Sequence, residues 1–254
     1  CPQLTYIGVL ATGYNVVDLA AAKEQGITVT NIPSYSTNAV AQATFALLLE
    51  VTNQVGHHNR SVHQGDWQTS KDFSYWQTPL MELAGKTIGL IGYGAIAQAV
   101  ATIAHAFQLK VIYFNHRPKP AQADWAKQVS LAELYQEADI ISLHVPQFPE
   151  TEKMIDRTAL AQMKSSAILI NTARGGLIDE AAVAEALHTG QIAALAADVV
   201  SKEPIEADNP LLQAPNCYLT PHIAWAPVET RRRLMGIAVA NLSGFKAGTP
   251  QNVV

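Results

Sequence analysis

The chain of 254 residues has a formal net charge of −4, with 48% hydrophobic and 15% charged residues, which fits a globular protein of one large domain or two modest ones. The weakly acidic balance argues against nucleic-acid binding, which needs a basic face. Two cysteines, Cys1 and Cys217, are too few for a disulfide framework and favour a reduced, cytoplasmic setting.

The first third of the chain predicts two short strands and two helices. The runs YIGVL (6–10) and ITVTNI (27–32) are typical of strands, and the helix between them, 15–26, ends at Gly26. Residues 37–65 then predict one long helix. Its N-cap is one of three polar residues, Ser36, Thr37 or Asn38.

From residue 87 onward, strands and helices alternate regularly. The predicted strands are 87–92, 110–114, 139–145, 166–173, 193–200 and 217–220, and the predicted helices are 95–107, 131–137, 158–163 and 179–188. Near-continuous apolar strands separated by helices indicate a parallel sheet that is covered on both faces. The predicted fold class is therefore α/β, with a doubly wound parallel sheet.

One uncharged stretch, between Lys86 and Lys110, is long enough to span a bilayer. Its first residues, however, predict a strand that leads into Gly92-Tyr93-Gly94, followed by a helix whose N-terminal amides can bind an anion. In this G-x-G-x-x-A pattern, Ala97 needs only to permit close packing of the helix on the strand. The stretch therefore predicts a dinucleotide-binding turn and no membrane helix.

The residues after the second strand of this unit, Asn115, His116 and Arg117, bear on the choice of dinucleotide. NAD sites usually place Asp or Glu here, on the ribose hydroxyls. A carboxylate would repel a 2′-phosphate, whereas Asn115 would not, and Arg117 could pair with that phosphate. Alternatively, this is a solvated loop, and Asn115 bonds a ribose hydroxyl. The pattern predicts NAD(P)H with a lean to NADP(H).

Polar residues stand at or after three successive strand ends. Arg174 follows strand 166–173, Asp198 and Glu203 stand at and beyond the end of strand 193–200, and His222 follows the last strand. Ligands of open α/β sheets bind at this edge. Each residue alone could be a surface ion-pair partner or a structural side chain. Arg, Glu and His at three consecutive strand ends favour a catalytic set.

The histidines of the long helix do not predict a metal site. Adjacent helical residues such as His57 and His58 point about 100° apart, and no Cys or carboxylate completes a set with His63.

Together, these motifs resemble the D-isomer-specific 2-hydroxyacid dehydrogenase family, most of all its glycerate dehydrogenase and hydroxypyruvate/glyoxylate reductase branch. The motifs are G-x-G-x-x-A, LHVP (143–146), NTARGGLID (171–179), DVVSKEP (198–204) and PHIAWAP (221–227). The resemblance covers essentially the whole chain. It implies a Rossmann-type dinucleotide-binding domain at 36–227 and a flavodoxin-like substrate lobe formed by 1–35 and 228–254.

The resemblance carries two further expectations. Family members normally have additional residues before LTYIGVL (4–10), so we expect the substrate lobe to be incomplete and the chain to be a fragment or a truncated product. In the family, the helix that corresponds to 37–65 packs against a partner subunit, which implies a homodimer.

The resemblance also implies a role for each polar residue in the reduction of a 2-keto acid. His222 would be the general acid and base. Glu203 would pair with His222, orient the ring and keep it protonated. Arg174 would hold the substrate carboxylate and polarise the carbonyl. Asp198 would bond the nicotinamide carboxamide.

Two sets of binding residues follow from the same resemblance. The cofactor cleft would be lined by Gly92, Gly94, Ala95, Ile96, Asn115, His116, Arg117, His144, Val145, Pro146, Thr151, Thr172, Ala173, Arg174, Asp198, His222 and Ala224. The substrate would meet Ala11, Thr12, Gly13, Arg174, His222 and Trp225, with Trp225 shaping a pocket for a small hydroxymethyl group.

The predicted reaction is the reduction of hydroxypyruvate or glyoxylate to D-glycerate or glycolate. A D-lactate-type dehydrogenase stays open, because a methylene or hydroxyl shifts preference by only ~1–3 kcal/mol in an apolar pocket. A dinucleotide-sensing binding protein, like the family's transcriptional corepressors, has the same Arg/Glu/His set. A catalytically dead remnant that still binds cofactor is the third alternative, and turnover would reject both non-enzymatic ones.

Overall fold

The computed structural model describes residues 3–121 and 123–254 and divides them into two compact units. The smaller unit comprises the described chain up to Ala39 together with Ile223–Val254, and the larger unit is Val40–His222. Cys1 lies outside the described residues, and Cys217 has a free thiol.

The helices and strands are, in chain order, β1 (Tyr6–Gly8), α1 (Leu19–Glu24), β2 (Thr28–Thr30), α2 (Thr37–Asn53), α3 (Val55–His63), β3 (Thr87–Ile91), α4 (Ala95–Ala106), β4 (Lys110–Phe114), β5 (Ala126–Gln128), α5 (Leu131–Glu137), β6 (Ile140–Leu143), α6 (Arg157–Leu160), β7 (Ile168–Asn171), α7 (Glu180–Thr189), β8 (Ala194–Ala197), β9 (Cys217–Leu219) and α8 (Val228–Lys246). Short 3-10 helices occupy Gly175–Leu177 and Pro210–Gln213.

The larger unit is built on a seven-stranded sheet in the order β5-β4-β3-β6-β7-β8-β9, and every neighbouring pair is parallel. The order reverses between β3 and β6, which is where doubly wound sheets open a crevice for ligands. Strands β6, β7 and β8 are buried along their whole length, as a sheet with helices on both faces requires. The predicted doubly wound α/β fold is confirmed.

Close packing beneath the crevice depends on small residues. A Cβ added to Gly89 in β3 would lie 2.7 Å from the Leu134 side chain of α5, so the helix could not approach the strand this closely. Ala97 on α4 is fully buried among Val100, Ala101 and Ala104. The small residue that the G-x-G-x-x-A pattern requires is therefore a packing residue.

The smaller unit holds a two-stranded parallel sheet, β1 with β2, and the C-terminal helix α8. The Asn241 side chain of α8 is buried and donates to the backbone oxygen of Asn31 at 2.9 Å. Beyond β2, Ile32 donates its N–H to the oxygen of Ala11 at 3.0 Å. The first bond holds α8, and the second holds the loop after β1, against the residues that follow β2.

The predicted helix 37–65 is wrong as one element, because the chain breaks at Gln54. Gln54 has φ +46°, so α2 ends at Asn53 and α3 begins at Val55. Just before the break, the Thr52 hydroxyl donates to Leu48 O and to the Asn53 side chain. Such local side-chain bonds compete with continued helix, and the apolar pattern alone does not reveal them.

Other predicted boundaries were too wide, and two elements were missed. The first helix begins at Leu19, not at 15, because Asp18 caps it by accepting from Ala21 N at 2.9 Å. Strand β5 has only three residues and no apolar run, so no pattern marked it. The second missed element is the long helix α8.

Two further findings concern the described residues only. None of their helices is long and apolar enough to cross a membrane. Nor do they contain a group of three or more His, Cys, Asp or Glu that could hold a metal ion.

Candidate active site

The glycine-rich turn between β3 and α4 has a backbone that only glycine adopts easily. Gly92 has φ +90°, and a Cβ there would lie 2.6 Å from the backbone oxygen of His144. A Cβ at Gly94 would meet no protein atom within 4 Å. The turn is thus closed at Gly92 by the neighbouring strand and open at Gly94, where a ligand can approach the backbone.

The N-terminus of α4 directly follows this opening. Gly94 is its N-cap residue and supplies no side-chain cap, and the first turn, from Ala95 and Ile96 onward, holds no acidic residue. The free N-terminal amides and the positive end of the helix dipole therefore favour a phosphate. These residues fit the pyrophosphate of a dinucleotide.

Asn115 directly follows β4 and connects the glycine-rich turn to the loop after β4 by two hydrogen bonds. Its Oδ1 accepts from Tyr93 N at 3.3 Å, and its Nδ2 donates to Arg117 O at 2.8 Å. His116 and Arg117 are exposed, and the Arg117 guanidinium has no hydrogen-bond or ion-pair partner among the described residues. Arg117 therefore leaves a free positive charge beside the residue that braces the turn.

His144 follows β6 at the same edge of the sheet. Its Nε2 lies 2.9 Å from the Ser142 hydroxyl, and burial lowers its pKa to about 4, so the ring is neutral at physiological pH. Beyond Val145, the Thr151 hydroxyl donates to Pro146 O at 2.8 Å and closes the loop that follows β6. The end of β6 therefore presents a neutral ring to a ligand.

The loop after β7 carries Arg174 and is braced from beneath. The fully buried Asn171 side chain accepts from Ala173 N at 3.1 Å and donates to Arg174 O at 2.9 Å. The Thr172 hydroxyl lies 3.0 Å from that of Thr44 on α2.

The Arg174 side chain is half-buried and donates to Ala173 O at 2.7 Å. It has no carboxylate partner among the described residues. A guanidinium in this state can receive a planar anion.

His222 and Glu203 form an ion-pair contact at the ends of β9 and β8. The His222 Nδ1 lies 2.6 Å from Glu203 Oε2. A carboxylate at Nδ1 fixes the ring so that Nδ1 carries a proton, and Nε2 has no partner in the described part of the chain. This is the arrangement of an oriented imidazole that can exchange a proton at Nε2.

The backbone of His222 is strained and held. Its φ is +54°, and its N–H donates to Asp198 O at 2.8 Å. The buried Asp198 carboxylate in turn accepts from the Thr220 hydroxyl at 2.6 Å. Positive φ at a non-glycine residue beside a polar cleft is a feature that functional sites often carry.

The predicted substrate residues outside this set belong to the smaller unit. The N–H groups of Ala11, Thr12 and Gly13 have no hydrogen-bond partner among the described residues, while the Thr12 hydroxyl donates to Ile32 O at 2.8 Å. Trp225 is half-buried against Ile32 and Leu234, and Ala224 is buried. Three free amides in one short loop suit a carboxylate.

The larger unit contains Arg174, Asp198, Glu203 and His222, and direct bonds join His222 to Glu203 and to Asp198, whereas the loop 11–13 and Trp225 lie in the other unit. The roles of all these residues stay predictions. Sequence reasoning missed three hydroxyls: Thr44 contacts Thr172, Ser142 contacts His144, and Thr220 contacts Asp198. Thr44 and Ser142 interrupt otherwise apolar runs, which is a usable signal, because a buried hydroxyl needs a partner.

Comparisons with known proteins agree on one family. The model for "D-isomer specific 2-hydroxyacid dehydrogenase, NAD binding domain" matches residues 45–224. A hydroxypyruvate reductase from Blautia hydrogenotrophica is 51% identical, over 100% of this chain and 79% of its own length. A glycerate dehydrogenase from Methylorubrum extorquens is 45% identical, with the same coverages.

Among solved structures, similarity extends to an NADPH-dependent glyoxylate/hydroxypyruvate reductase from Sinorhizobium meliloti in complex with NADP and malonate. The TM-score is 0.89 at 32% sequence identity, covering 100% of this chain and 78% of that one.

Proposed function

The chain belongs to the D-isomer-specific 2-hydroxyacid dehydrogenase family, and on that premise we propose that it reduces hydroxypyruvate and glyoxylate to D-glycerate and glycolate with NAD(P)H. The observation that carries the proposal is the contact of 2.6 Å between His222 Nδ1 and Glu203 Oε2, which leaves Nε2 free to exchange a proton. The names of the relatives support the substrates.

In the proposed reaction, bound NAD(P)H supplies the hydride for the carbonyl carbon. His222 donates the proton of Nε2 to the carbonyl oxygen, which becomes the hydroxyl of the product. Glu203 balances the positive imidazolium beforehand and keeps the ring in one orientation. In the reverse direction, neutral His222 takes that proton back.

Arg174 orients the substrate for this transfer. Its guanidinium can donate two parallel hydrogen bonds to the carboxylate, or one to the carboxylate and one to the carbonyl oxygen. Because Asn171 fixes the backbone of this loop, little freedom is lost when the substrate binds. That the amides of Ala11, Thr12 and Gly13, which belong to the smaller unit, receive a carboxylate stays a prediction from the resemblance.

The dinucleotide would be held at the turn between β3 and α4 and along the adjoining edge of the sheet. Gly94 and the first amides of α4 would receive the pyrophosphate, and neutral His144 borders the same edge. The buried Asp198 carboxylate would accept from the carboxamide of the nicotinamide. This placement would present one face of the ring to the substrate.

We propose further that NADP(H) is preferred, because Arg117 is an exposed and unpaired cation next to Asn115. Arg117→Ala is expected to lower kcat/KM for NADPH about 10–100-fold, the value of a charge-assisted hydrogen bond, and to leave kcat/KM for NADH within about 2-fold. Steady-state kinetics with each cofactor measures this ratio. Arg60→Ala, which removes an exposed cation of α3, is the matched control. Equal losses with NADPH and NADH would reject the preference.

We also propose that the chain forms a homodimer. The α3 helix and the loop after it expose a row of large apolar side chains, Val55, Val62, Trp67, Phe73, Trp76 and Leu80. The loop is held to α3 by a contact of 2.8 Å between the Tyr75 hydroxyl and Ser61 Oγ. Phe73 is 91% exposed and Trp76 is 68% exposed, so large aromatic side chains of this loop face solvent. Such a surface fits a second copy of the chain.

The double variant Phe73→Ser/Trp76→Ser is expected to weaken dimerisation by at least about 100-fold, because buried aromatic anchors dominate interface energies. Analytical ultracentrifugation over a concentration series measures the dimer dissociation constant. The variant Phe148→Ser removes an exposed aromatic side chain outside α3 and this loop, and it should leave the constant unchanged. A wild-type chain that stays monomeric would overturn the proposal.

The reductase activity itself is tested by steady-state assays with hydroxypyruvate, glyoxylate and pyruvate, each with NADPH and with NADH. Fast turnover of hydroxypyruvate or glyoxylate supports the proposal, whereas a marked preference for pyruvate favours a D-lactate-type enzyme. Binding of dinucleotide without turnover favours a sensing protein. The cytoplasmic setting stays a prediction from cysteine usage.

A further inference from the structure

The segment that carries Glu203 is anchored on both flanks by one carboxylate that no motif singled out. Glu180, the first residue of α7, accepts from Ser201 N at 2.7 Å and from Ser201 Oγ at 2.6 Å. It also accepts from Asn209 Nδ2 at 3.0 Å. Residues 201 and 209 stand on either side of Glu203 in the chain, so Glu180 fastens the loop before and after it.

A short series of bonds leads from this anchor to the imidazole. The peptide group that joins Val200 to Ser201 is held through Ser201 N, and the neighbouring Val200 N donates to Glu203 Oε1 at 3.2 Å. The other oxygen, Glu203 Oε2, meets His222 Nδ1. A shift of the Val200–Ser201 backbone therefore moves one of the two groups that fix the Glu203 carboxylate.

The same backbone also contacts the loop of Arg174. A Cβ added to Gly175 would lie 1.9 Å from the carbonyl carbon of Val200 and 2.3 Å from Ser201 N. Only glycine permits this approach, directly after Arg174 in the chain. The backbone at 200–201 thus touches the segments that carry two of the proposed catalytic residues.

We propose that Glu180 is a positioning residue that holds the Val200–Ser201 backbone and, through it, sets the Glu203 carboxylate against His222. The inference rests on the proposed function insofar as it assigns Glu180 a part in the reductase reaction. Glu180 is assigned no contact with substrate or cofactor. Its effect is assigned to Glu203, through the Val200–Ser201 backbone.

The chemistry of a carboxylate suits this task. An ionised carboxylate accepts hydrogen bonds only, on both oxygens, and Glu180 receives three donors. Its place in the first turn of α7 favours the negative charge. A glutamine has one accepting oxygen and no negative charge. If that oxygen accepts from Ser201 N, the NH₂ faces Asn209 Nδ2, which only donates, so Glu180→Gln loses at least one of the three bonds and weakens the anchor with little change in size.

The first test is independent of turnover. In NMR spectra of the chain, the Nδ1–H proton of His222, identified by its loss in a His222→Asn variant, reports the bond to Glu203. Glu180→Gln is expected to shift or broaden this signal and to speed amide exchange at Ser201 about 10-fold, the loss expected for one hydrogen bond. Glu185→Gln, on the same helix and paired with exposed Arg157, should change neither readout. An unchanged His222 signal in Glu180→Gln would overturn the inference.

The second test uses the reaction. Glu180→Gln should lower kcat about 10-fold while KM for the keto acid and the dissociation constant for the dinucleotide stay within about 2-fold. Ser201→Ala, which removes one of the three bonds and keeps the backbone N–H, should cause a smaller loss in kcat.

A double-mutant cycle separates positioning from a general structural role. If Glu180 acts through Glu203, then Glu180→Gln should have no further effect on kcat in a Glu203→Ala background. Additive losses would overturn the inference. Absence of turnover in the wild-type chain would count against the proposed function alone, because the NMR signal and the amide exchange still test the contact.

Discussion

Replacing His222 with Asn is expected to lower kcat for hydroxypyruvate about 10²–10⁴-fold, the usual value of a positioned general acid. The variant removes the proton of Nε2 and leaves the rest of the site in place. Asn is chosen because His222 has φ +54°, and Asn tolerates this left-handed backbone better than Ala. Single-turnover reduction measures the loss, since it isolates the transfer step from product release.

Dinucleotide binding provides the check on this variant. The amides of α4 and the open approach at Gly94 do not depend on the imidazole, so the dissociation constant for NADPH should change little. His188→Asn, an exposed histidine of α7, should keep wild-type kcat. If the His222→Asn protein binds NADPH and retains more than about a tenth of wild-type kcat, then His222 is not the general acid.

Arg174→Lys is expected to lower kcat/KM for hydroxypyruvate about 10–150-fold, with KM raised and kcat lowered together. Lysine keeps the positive charge but loses the planar pair of donors, and a charged hydrogen bond is worth about 1.5–3 kcal/mol. The loop should keep its conformation in the variant, because Asn171 bonds to the backbone of Ala173 and Arg174 and not to the Arg174 side chain. The effect is therefore assigned to substrate orientation.

The control for this substitution is Arg157→Lys, which alters an exposed arginine paired with Glu185. It should change kcat/KM by less than about 2-fold, as expected for a surface ion pair. Added guanidinium chloride at low concentration should restore part of the activity of an Arg174→Ala variant. A wild-type KM in Arg174→Lys would show that the guanidinium does not bind the substrate carboxylate.

The fold could be predicted from the sequence because its main signals are local. Apolar strands such as β6 and β7 are buried on both faces, so their composition shows directly as near-continuous apolar runs. The glycine turn is equally local, since the φ of Gly92 and the small side chain of Ala97 are requirements on single residues. These features need no knowledge of distant parts of the chain.

What could not be predicted depends on contacts between residues far apart in sequence. Strand β5 pairs with β4, whose edge offers it a partner. The break at Gln54 is a local exception, because the side-chain bonds of Thr52 to Leu48 and Asn53 compete with the helix. The bonds from Glu180 to Ser201 and Asn209 join residues more than twenty positions apart. Periodicity carries no information about such pairs.

The candidate site could be predicted in part. The order Arg174, Glu203, His222 at successive strand ends predicted one shared edge, since parallel strands end at one edge of a sheet, and the structure places Glu203 against His222. The sequence did not reveal that Asn115 also braces the glycine turn through Tyr93, or that Thr220 holds the buried Asp198. Hydroxyl and amide side chains act here through geometry, which composition does not show.

The most direct test of reduction through His222 is the steady-state rate of hydroxypyruvate reduction by the wild-type chain with NADPH, compared in one experiment with His222→Asn. We expect turnover by the wild type that falls about 10²–10⁴-fold in the variant while NADPH binding is retained. A wild-type chain that binds NADPH tightly and reduces none of hydroxypyruvate, glyoxylate or pyruvate would contradict it.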